Sequence, residues 1–172
     1  AKLPPEILPA KNELKEKREE YSHSYYQGLI VELGNLKKFK TFVPNQDKNK
    51  LYLGKKLYEI TTIPDIVKFS YDRIVQKAKT VDVIWFNERE MPVNFFEIEH
   101  STDMQNSLLK FVELQDFYAG FCIVADEVRK KDFLAKKSFN AFQSINNRVK
   151  FWNYDDVAEL HTKTSEYATI ES

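Results

Sequence analysis

The sequence predicts a single α/β domain in which helices flank a central mixed β-sheet. Its 172 residues are 42% hydrophobic and 30% charged, a composition typical of a globular domain with a sizeable core. Helical and strand patterns alternate along the chain, which favours a sheet with helices packed on it. The run GFCIVA, residues 120–125, is continuously apolar between turn residues, as in a strand buried on both faces.

The first half of the chain is predicted to hold two helices and a short strand. Residues 1–10 are rich in proline and are expected to be extended. Apolar residues spaced three and four apart predict a helix over residues 12–39. Residues 41–43 are expected to form a short strand that ends at a proline. An irregular segment over residues 51–69 and a short helix over residues 70–79 are expected to follow.

The second half begins with two apolar runs that predict a β-hairpin. VDVIWF and VNFFEIEHS have the composition of strands, and the polar turn NEREMP separates them. The amphipathic segment 103–118 predicts a helix with Asp103 as its N-cap. The remaining predicted elements are a buried strand, a helix, a short strand and a final short helix, at residues 120–125, 130–142, 149–154 and 155–161.

Charge and cysteine content limit which partners, disulfides and cellular location the chain is expected to have. The 26 basic and 26 acidic residues balance, so the chain as a whole does not demand a polyanionic partner. The charges are nevertheless segregated, since residues 37–56 hold seven lysines and one aspartate, whereas residues 151–172 hold one lysine and five acids. The single cysteine, Cys122, excludes an internal disulfide framework and is expected in the core. No stretch resembles a signal peptide or a membrane span, so we expect a cytoplasmic protein without a membrane partner.

Three carboxylates fall on the predicted hairpin. Glu97 and Glu99 alternate with Ile98 and therefore share one face of their strand. Asp82 lies near the start of the neighbouring strand, where pairing would bring it close to Glu97. Because clustered carboxylates repel and are costly to bury unpaired, a hard divalent cation such as Mg²⁺ would stabilise them. The alternative is a solvent-facing strand end at which the acids face water or pair with lysines.

The same residues resemble the PD-(D/E)xK nuclease superfamily, which has the restriction-endonuclease-like fold. Asp82 is followed fifteen positions later by Glu97, and Glu99 comes two residues after Glu97 on the same apolar strand, as in that motif. The resemblance implies hydrolysis of DNA phosphodiester bonds with Mg²⁺, or Mn²⁺ as a substitute, bound by Asp82, Glu97 and Glu99. Val81 replaces the proline of the motif, and Glu99 replaces its lysine. The resemblance therefore gives Glu99 the role of a metal ligand or a water-orienting base.

The resemblance covers most of the chain from about residue 25. It implies that the first helix contributes a further catalytic acid, for which Glu32 is the candidate; alternatively, Glu32 is an exposed residue near Lys37 or Lys38. Basic side chains beside an acidic centre are expected to hold the DNA backbone without reading its sequence. The candidates for such phosphate contacts are Lys48, Lys50, Arg129, Lys130, Lys131 and Lys136.

The resemblance also suggests how the chain is organised. We expect a lead-in or linker at residues 1–20, a nuclease-like domain at residues 21–163 and a C-terminal tail at residues 164–172. The chain begins with alanine and is interpreted as a fragment of a larger restriction-type protein, in which a second copy or an additional domain supplies sequence recognition.

Two other function classes remain open on the sequence. One is a catalytically inactive, nuclease-like module for DNA binding or assembly, in which Glu99 marks a decayed site. The other is a protein-interaction domain whose partner meets the acidic tail or the lysine-rich segment. The residues beside the acidic motif allow similar alternatives: His100 is expected to be packed and hydrogen-bonded, whereas Ser101 either approaches a metal-bound water or helps to cap the next helix.

Overall fold

The structure is a computed structural model that describes the backbone of residues 7–171 and the side chains of residues 13–171. Over this part of the chain it contains five α-helices, seven β-strands and several short 3₁₀ turns. In chain order these are α1 (Ile7–Leu36), β1 (Lys40–Phe42), β2 (Leu51–Tyr52), β3 (Lys55–Lys56), α2 (Asp72–Ala78), β4 (Val83–Phe86), β5 (Pro92–Glu99), α3 (Met104–Glu113), β6 (Gly120–Ala125), α4 (Lys130–Lys137), β7 (Val149–Asn153) and α5 (Tyr154–Glu171).

Five of these strands form one mixed sheet in the order β1-β4-β5-β6-β7. The pairs β1–β4 and β4–β5 are antiparallel, whereas the pairs β5–β6 and β6–β7 are parallel. The strand β5 is therefore the junction between the two halves of the sheet. The expected hairpin is present as β4 and β5, and helices cover the sheet. The predicted mixed α/β architecture is confirmed and agrees with a restriction-endonuclease-like fold.

Side chains of the central strands alternate between two hydrophobic cores. On β4, Ile84 and Phe86 face the core on the side of α2, α3 and α4, whereas Val83 and Trp85 face the core that α1 and α5 cover. The indole of Trp85 donates a hydrogen bond of 3.0 Å to the carbonyl oxygen of Ile30 in α1. Successive side chains of the strand thus enter opposite cores, as the period of two predicts.

The first helix is longer than the sequence predicts. Residues 1–6 lie outside the described part of the chain, but helix α1 already begins at Ile7, so the expectation of an extended segment up to residue 10 is wrong from there on. Pro9 falls within the first turn, where a missing N–H breaks no intrahelical hydrogen bond. The helix ends at Leu36, and Lys38 follows with a φ of 67°, the left-handed conformation common after helix ends.

The segment expected to be irregular contains a two-stranded ribbon, β2 and β3. Its two connecting residues, Leu53 and Gly54, have φ angles of 48° and 79°. Both angles are positive, as in the tight turn that favours Asn-Gly in hairpins. A leucine at the first of these positions is unusual, which is why the turn was missed.

Three other helix ends differ from the prediction, and one of them is that of α4, which stops at Lys137 rather than at residue 142. Helix α3 stops at Glu113 rather than near residue 118, and the turn after it is held by Arg148, whose guanidinium donates to the carbonyl oxygens of Gln115, Phe117 and Ala119. Helix α5 continues to Glu171, ten residues beyond its predicted end, and packs against α1. The division into lead-in, domain and tail stays a prediction.

Candidate active site

The structure brings the three carboxylates of the predicted motif into one pocket. Asp82 immediately precedes β4, and Glu97 and Glu99 lie on β5 with their side chains toward α3. The pocket has a volume of about 370 Å³. Helix α1, the strand β5, helix α3 and the segment between β5 and α3 form its walls, contributing Glu19, His23, Ile98, His100, Ser101, Thr102, Asp103, Asn106, Ser107 and Lys110.

Asp82 is held by both the backbone and a histidine. Its Oδ2 accepts a hydrogen bond of 2.8 Å from the backbone N–H of Ile98 and lies 3.3 Å from Nε2 of His23. Burial alone would raise the pKa of Asp82, but the hydrogen bond and charge of His23, together with the Ile98 N–H, outweigh burial and lower it. The carboxylate of Asp82 is therefore kept ionised.

Glu97 is paired with a lysine that the sequence analysis did not single out. The residue is only 2% exposed, and Nζ of Lys110 lies 2.7 Å from its Oε1. Its Oε2 accepts a hydrogen bond of 3.0 Å from the backbone N–H of Asp82. Burial and the nearby charge of Asp82 raise the pKa of Glu97, whereas Lys110 opposes the rise. Burial would lower the pKa of Lys110, but the charge and hydrogen bond of Glu97 raise it.

Among the three carboxylates, Glu99 is the one that hydroxyl groups hold on both of its oxygens. It is 5% exposed, and its two oxygens accept hydrogen bonds from Ser107 of α3 and from Thr102. The hydroxyl of Ser107 also lies 3.3 Å from Oε1 of Glu97, so it bridges the two glutamates. Glu99 therefore belongs to the pocket through neutral donors, in contrast to the ion-paired Asp82 and Glu97.

A buried glutamine on α1 organises the side of the pocket next to Asp82. The Nε2 of Gln27 donates to Oδ2 of Asp47 and to the carbonyl oxygen of Asp82, both at 3.0 Å. Its Oε1 faces Nδ1 of His23 at 3.1 Å, so that nitrogen must carry a proton. Because the other ring nitrogen faces an ionised carboxylate that can only accept, both nitrogens of His23 donate and the ring is an imidazolium. Burial would lower the pKa of His23, but the hydrogen bond and charge of Asp82 raise it.

The acid that α1 presents to the pocket is Glu19, not the expected Glu32. Glu32 lies more than three turns further along the helix and accepts hydrogen bonds from the hydroxyl of Tyr52 and, at 3.2 Å, from Nε2 of His161. Helical spacing explains the difference, because Glu19 and His23 are four residues apart and face the same way, whereas Glu32 is on another side of α1.

Four of the six cations expected to contact phosphate have protein partners. Lys48 donates to the carbonyl oxygen of Pro64, and Lys50 pairs with Asp47 at 2.9 Å. Arg129 and Lys136 hold the rim of the pocket, donating to the Thr102 carbonyl oxygen and to Asp103. Arg129 retains one buried N–H group, at Nη1, with no hydrogen-bond partner among the residues described. Lys130 and Lys131 make no ion pair with any described side chain.

Three residues outside the acidic motif, His100, Asp103 and Cys122, have the packing or capping roles that the sequence predicts. His100 stacks on Tyr154, with Nδ1 3.4 Å from its hydroxyl. Asp103 caps α3 by accepting a hydrogen bond of 2.9 Å from the N–H of Gln105, as predicted, while Ser101 lines the pocket. Cys122 is buried in the core, where desolvation raises the pKa of its thiol.

The donor atoms of the pocket suit a hard divalent cation in their chemistry. Asp82 and Glu97 supply carboxylate oxygens that repel each other when both are ionised, and a cation between them would relieve this repulsion. Within the described residues, however, no group of three or more His, Cys, Asp or Glu side chains is arranged to hold a metal ion. The acids instead point at His23, Lys110 and the hydroxyl donors. A cation bound here would share or compete for the carboxylate oxygens with these partners.

The sequence did not assign His23 or Lys110 to the site, because both lie on helices and not on the hairpin that carries the acidic motif. The pattern of α3 carries a usable clue: Asp103, Ser107 and Lys110 are spaced by four and three residues and share a face with buried apolar residues. A serine and a lysine on the buried face of an amphipathic helix indicate a polar site. For His23, no comparable clue exists, since an isolated histidine on a long polar helix has no distinctive spacing.

Comparison with known proteins places the chain in a family. The model of a family described as the type II restriction enzyme NmeDI C-terminal domain matches residues 2–171. The chain belongs to this family. Among related proteins, a type II restriction enzyme NmeDI from Neisseria meningitidis serogroup C is 29% identical over 151 residues, which cover 81% of this chain and 42% of that protein. This member of the NmeDI C-terminal domain family thus spans less than half the length of that relative. No solved structure matches the chain significantly.

Within the part of the chain that the structure describes, no helix is both long and apolar enough to cross a bilayer.

Proposed function

We propose that the chain is a metal-dependent DNA endonuclease domain of the PD-(D/E)xK type and the cleavage domain of a restriction-type enzyme. The observation that carries this proposal is the meeting of Asp82 and Glu97 in one pocket with the ammonium of Lys110 2.7 Å from Glu97. Family membership supports the restriction-type setting, because the related protein is a type II restriction enzyme.

Asp82 and Glu97 are the residues that would hold Mg²⁺, or Mn²⁺ in its place, with Glu99 able to join them. When bound, the cation supplies a Lewis acid that neutralises charge on the scissile phosphate and lowers the pKa of a coordinated water. His23 keeps Asp82 ionised, and the Ile98 N–H fixes its orientation. These contacts prepare one carboxylate as an anionic oxygen ligand before any metal arrives.

Lys110 is assigned the role that the missing lysine of the motif would have. Glu99 occupies that position on β5, but α3 brings an ammonium to the same pocket from the opposite side. In this role Lys110 stabilises negative charge that develops on a phosphate oxygen during attack. Glu99, held by Thr102 and Ser107, would orient the attacking water or accept its proton.

Glu19 is assigned the role of the additional helix acid for which the sequence suggested Glu32. It lines the pocket one turn before His23, whereas the carboxylate of Glu32 is engaged with Tyr52 and His161. Lys130 and Lys131 are the most available of the expected phosphate contacts, because the structure gives neither an acidic partner within the described residues. A second copy of the chain or a further domain would supply sequence recognition, which the greater length of the relative supports.

The proposal is tested by incubating supercoiled and linear DNA with the protein and Mg²⁺ or Mn²⁺. The wild type is expected to nick or cut the DNA, while Asp82→Ala and Glu97→Ala are expected to be inactive but folded. A folded wild type that binds DNA without cutting it, and that shows no metal binding by calorimetry, would instead favour the inactive DNA-binding module. A folded protein that binds neither DNA nor metal would favour the protein-interaction domain.

A further inference from the structure

The short segment between β5 and α3 carries one of the hydroxyl groups that hold Glu99. Thr102 lies in this segment and donates its hydroxyl to Oε2 of Glu99. Ser101 and Thr102 are exposed and belong to no helix or strand. Burial therefore does little to fix the Thr102 hydroxyl, and its position depends on the hydrogen bonds that the segment makes.

A guanidinium from beyond the neighbouring strand holds the backbone of this segment. Nη2 of Arg129 donates a hydrogen bond to the carbonyl oxygen of Thr102. Arg129 ends the short 3₁₀ turn that follows β6, and its own N–H donates to the carbonyl oxygen of Asp126 at 3.0 Å. Because β6 runs parallel to β5 with Ala125 opposite Glu99, this turn leaves the sheet at the end where Glu99 lies.

A second cation holds the residue that follows Thr102. Lys136 of α4 donates to the carboxylate of Asp103, and the same carboxylate caps α3 by accepting from the N–H of Gln105. Two consecutive residues of the segment are thus bound to the turn after β6 and to α4. Together these contacts fix the backbone from which the Thr102 hydroxyl reaches Glu99.

The charge of Arg129 is poorly compensated for an enclosed group. Its side chain is 17% exposed, and its ion pair with Asp132 spans 3.8 Å. Nη1 is buried without a hydrogen-bond partner among the described residues. Replacing an enclosed, weakly paired charge by an apolar side chain of similar size often leaves stability unchanged. Folding stability therefore gives little reason for an arginine at this position.

We propose that Arg129 is a positioning residue that acts on Glu99 through Thr102. The inference rests on the proposed function, in which Glu99 orients the attacking water or accepts its proton. Arg129 then contributes to the rate of cleavage and not to the attraction of DNA, in contrast to the phosphate contact expected from the sequence. The neighbouring Lys130, which is exposed and makes no ion pair with a described side chain, keeps the phosphate role.

The variant Arg129→Met separates these two roles. Its single-turnover cleavage rate at saturating DNA is expected to fall about 10–100-fold, the usual effect of losing a residue that orients a metal-site group. Its midpoint of urea unfolding and its slope of log K against log salt, measured without divalent cations, are expected to stay at the wild-type values. Lys130→Met is expected to lower that slope by about 0.9. Lys79→Met, which removes a lysine paired with Asp65 outside the pocket, is the control for the rate.

The route through Thr102 is tested by changing its hydroxyl. Thr102→Val is expected to slow cleavage about as much as Arg129→Met, whereas Thr102→Ser, which keeps the hydroxyl, is expected to restore most of the rate. Because both changes act through one hydroxyl, the double variant of Arg129→Met and Thr102→Val should be little slower than the slower single variant. Losses that multiply would overturn the route.

Three further outcomes would overturn the role of Arg129 itself. They are an Arg129→Met protein that cuts at the wild-type rate, one whose salt slope falls by about 0.9, and one that does not fold. The two proposals fail separately: an inactive wild type removes the hydrolysis and with it the task of Glu99, whereas an active wild type indifferent to Arg129→Met removes only the positioning role.

Discussion

The ammonium of Lys110 lies 2.7 Å from Oε1 of Glu97 and 3.1 Å from the carbonyl oxygen of Thr80. It thus joins α3 to the β4–β5 hairpin at the point where the carboxylates meet. Two oxygens already hold this ammonium in place. Under the proposed function it would therefore meet a phosphate with little further loss of conformational freedom. The charge thus comes from helix α3 and not from the strand β5.

Replacing Lys110 by methionine is expected to slow DNA cleavage by about 10²-fold or more, the usual effect of removing one preorganised donor to a developing negative charge. DNA affinity is expected to change only slightly, because under the proposed function the pocket would hold one phosphate among several contacts. Single-turnover cleavage rates and binding isotherms separate the two quantities. Lys77→Met, which removes a lysine paired with Glu113 outside the pocket, is the matched control. A Lys110→Met protein that cuts at the wild-type rate contradicts the assigned role.

The two glutamates of α1 are expected to respond differently to loss of charge. Glu19→Gln should weaken activation by Mg²⁺, seen as a higher metal concentration for half-maximal cleavage. Glu32→Gln should leave this concentration unchanged and lower the free energy of unfolding by about 1 kcal/mol, since it weakens hydrogen bonds to Tyr52 and His161. Metal titrations and urea unfolding of both variants measure these effects. The opposite pattern would restore Glu32 as the catalytic acid.

The His23–Asp82 pair is expected to make stability depend on pH in a defined window. The pKa of His23 is raised above 6.5, so its contribution is complete below that pH and is lost as pH rises through the folded-state pKa. The pKa of Asp82 is lowered below 3.8, so its contribution is lost as pH falls through that lower value. The His23–Asp82 pair therefore contributes most to the free energy of unfolding near pH 5–6.

The variant His23→Gln tests this dependence. Its deficit in unfolding free energy relative to wild type should be about 1 kcal/mol or more near pH 5.5 and should shrink toward pH 9. Denaturant unfolding at several pH values gives the difference directly. His161→Gln serves as the control, because that histidine contacts Glu32 rather than the carboxylate pocket. A deficit that does not change with pH would show that His23 is neutral.

Gly28 is expected to be intolerant of a side chain. The ring of Tyr52 packs directly on its backbone, and a Cβ at residue 28 would overlap that ring. Gly28→Ala should therefore lower the free energy of unfolding by about 1–3 kcal/mol through overpacking, although alanine favours helix. In the double variant with Tyr52→Leu, the overlap disappears, so the two losses should not add. Additive losses in thermal or urea unfolding would argue against the steric explanation.

The hairpin with its carboxylates was predictable because it is local. Asp82 and Glu97 are 15 residues apart, and alternation along two apolar strands fixes both their faces and their approach. The α3 cap at Asp103 followed from the same kind of short-range pattern. The sequence predicted a mixed sheet with helices packed on it, but neither the strand order nor the two separate cores. Which helix covers which face depends on the handedness and length of the connections.

The cationic half of the site was not predictable in this way. His23 is 59 residues from Asp82, and its role depends on how α1 lies across the sheet. The same packing brings Glu19 to the pocket and turns Glu32 away from it, a choice that the composition of the helix leaves open. The lysine-rich segments were correctly recognised as basic, but several of their charges are used to fix loops rather than left for a ligand.

The separation of the site's contacts along the chain bears on the order in which it assembles during folding. The Asp82–Glu97 contact closes a loop of 15 residues, and the His23–Asp82 contact one of 59. Closing the longer loop costs about 1.2 kcal/mol more in chain entropy. In refolding, the carboxylate hairpin should thus form early and the docking of α1 late. A chain caught midway would carry the paired acids without the histidine that keeps Asp82 ionised, so catalytic competence should appear only with the last folding step.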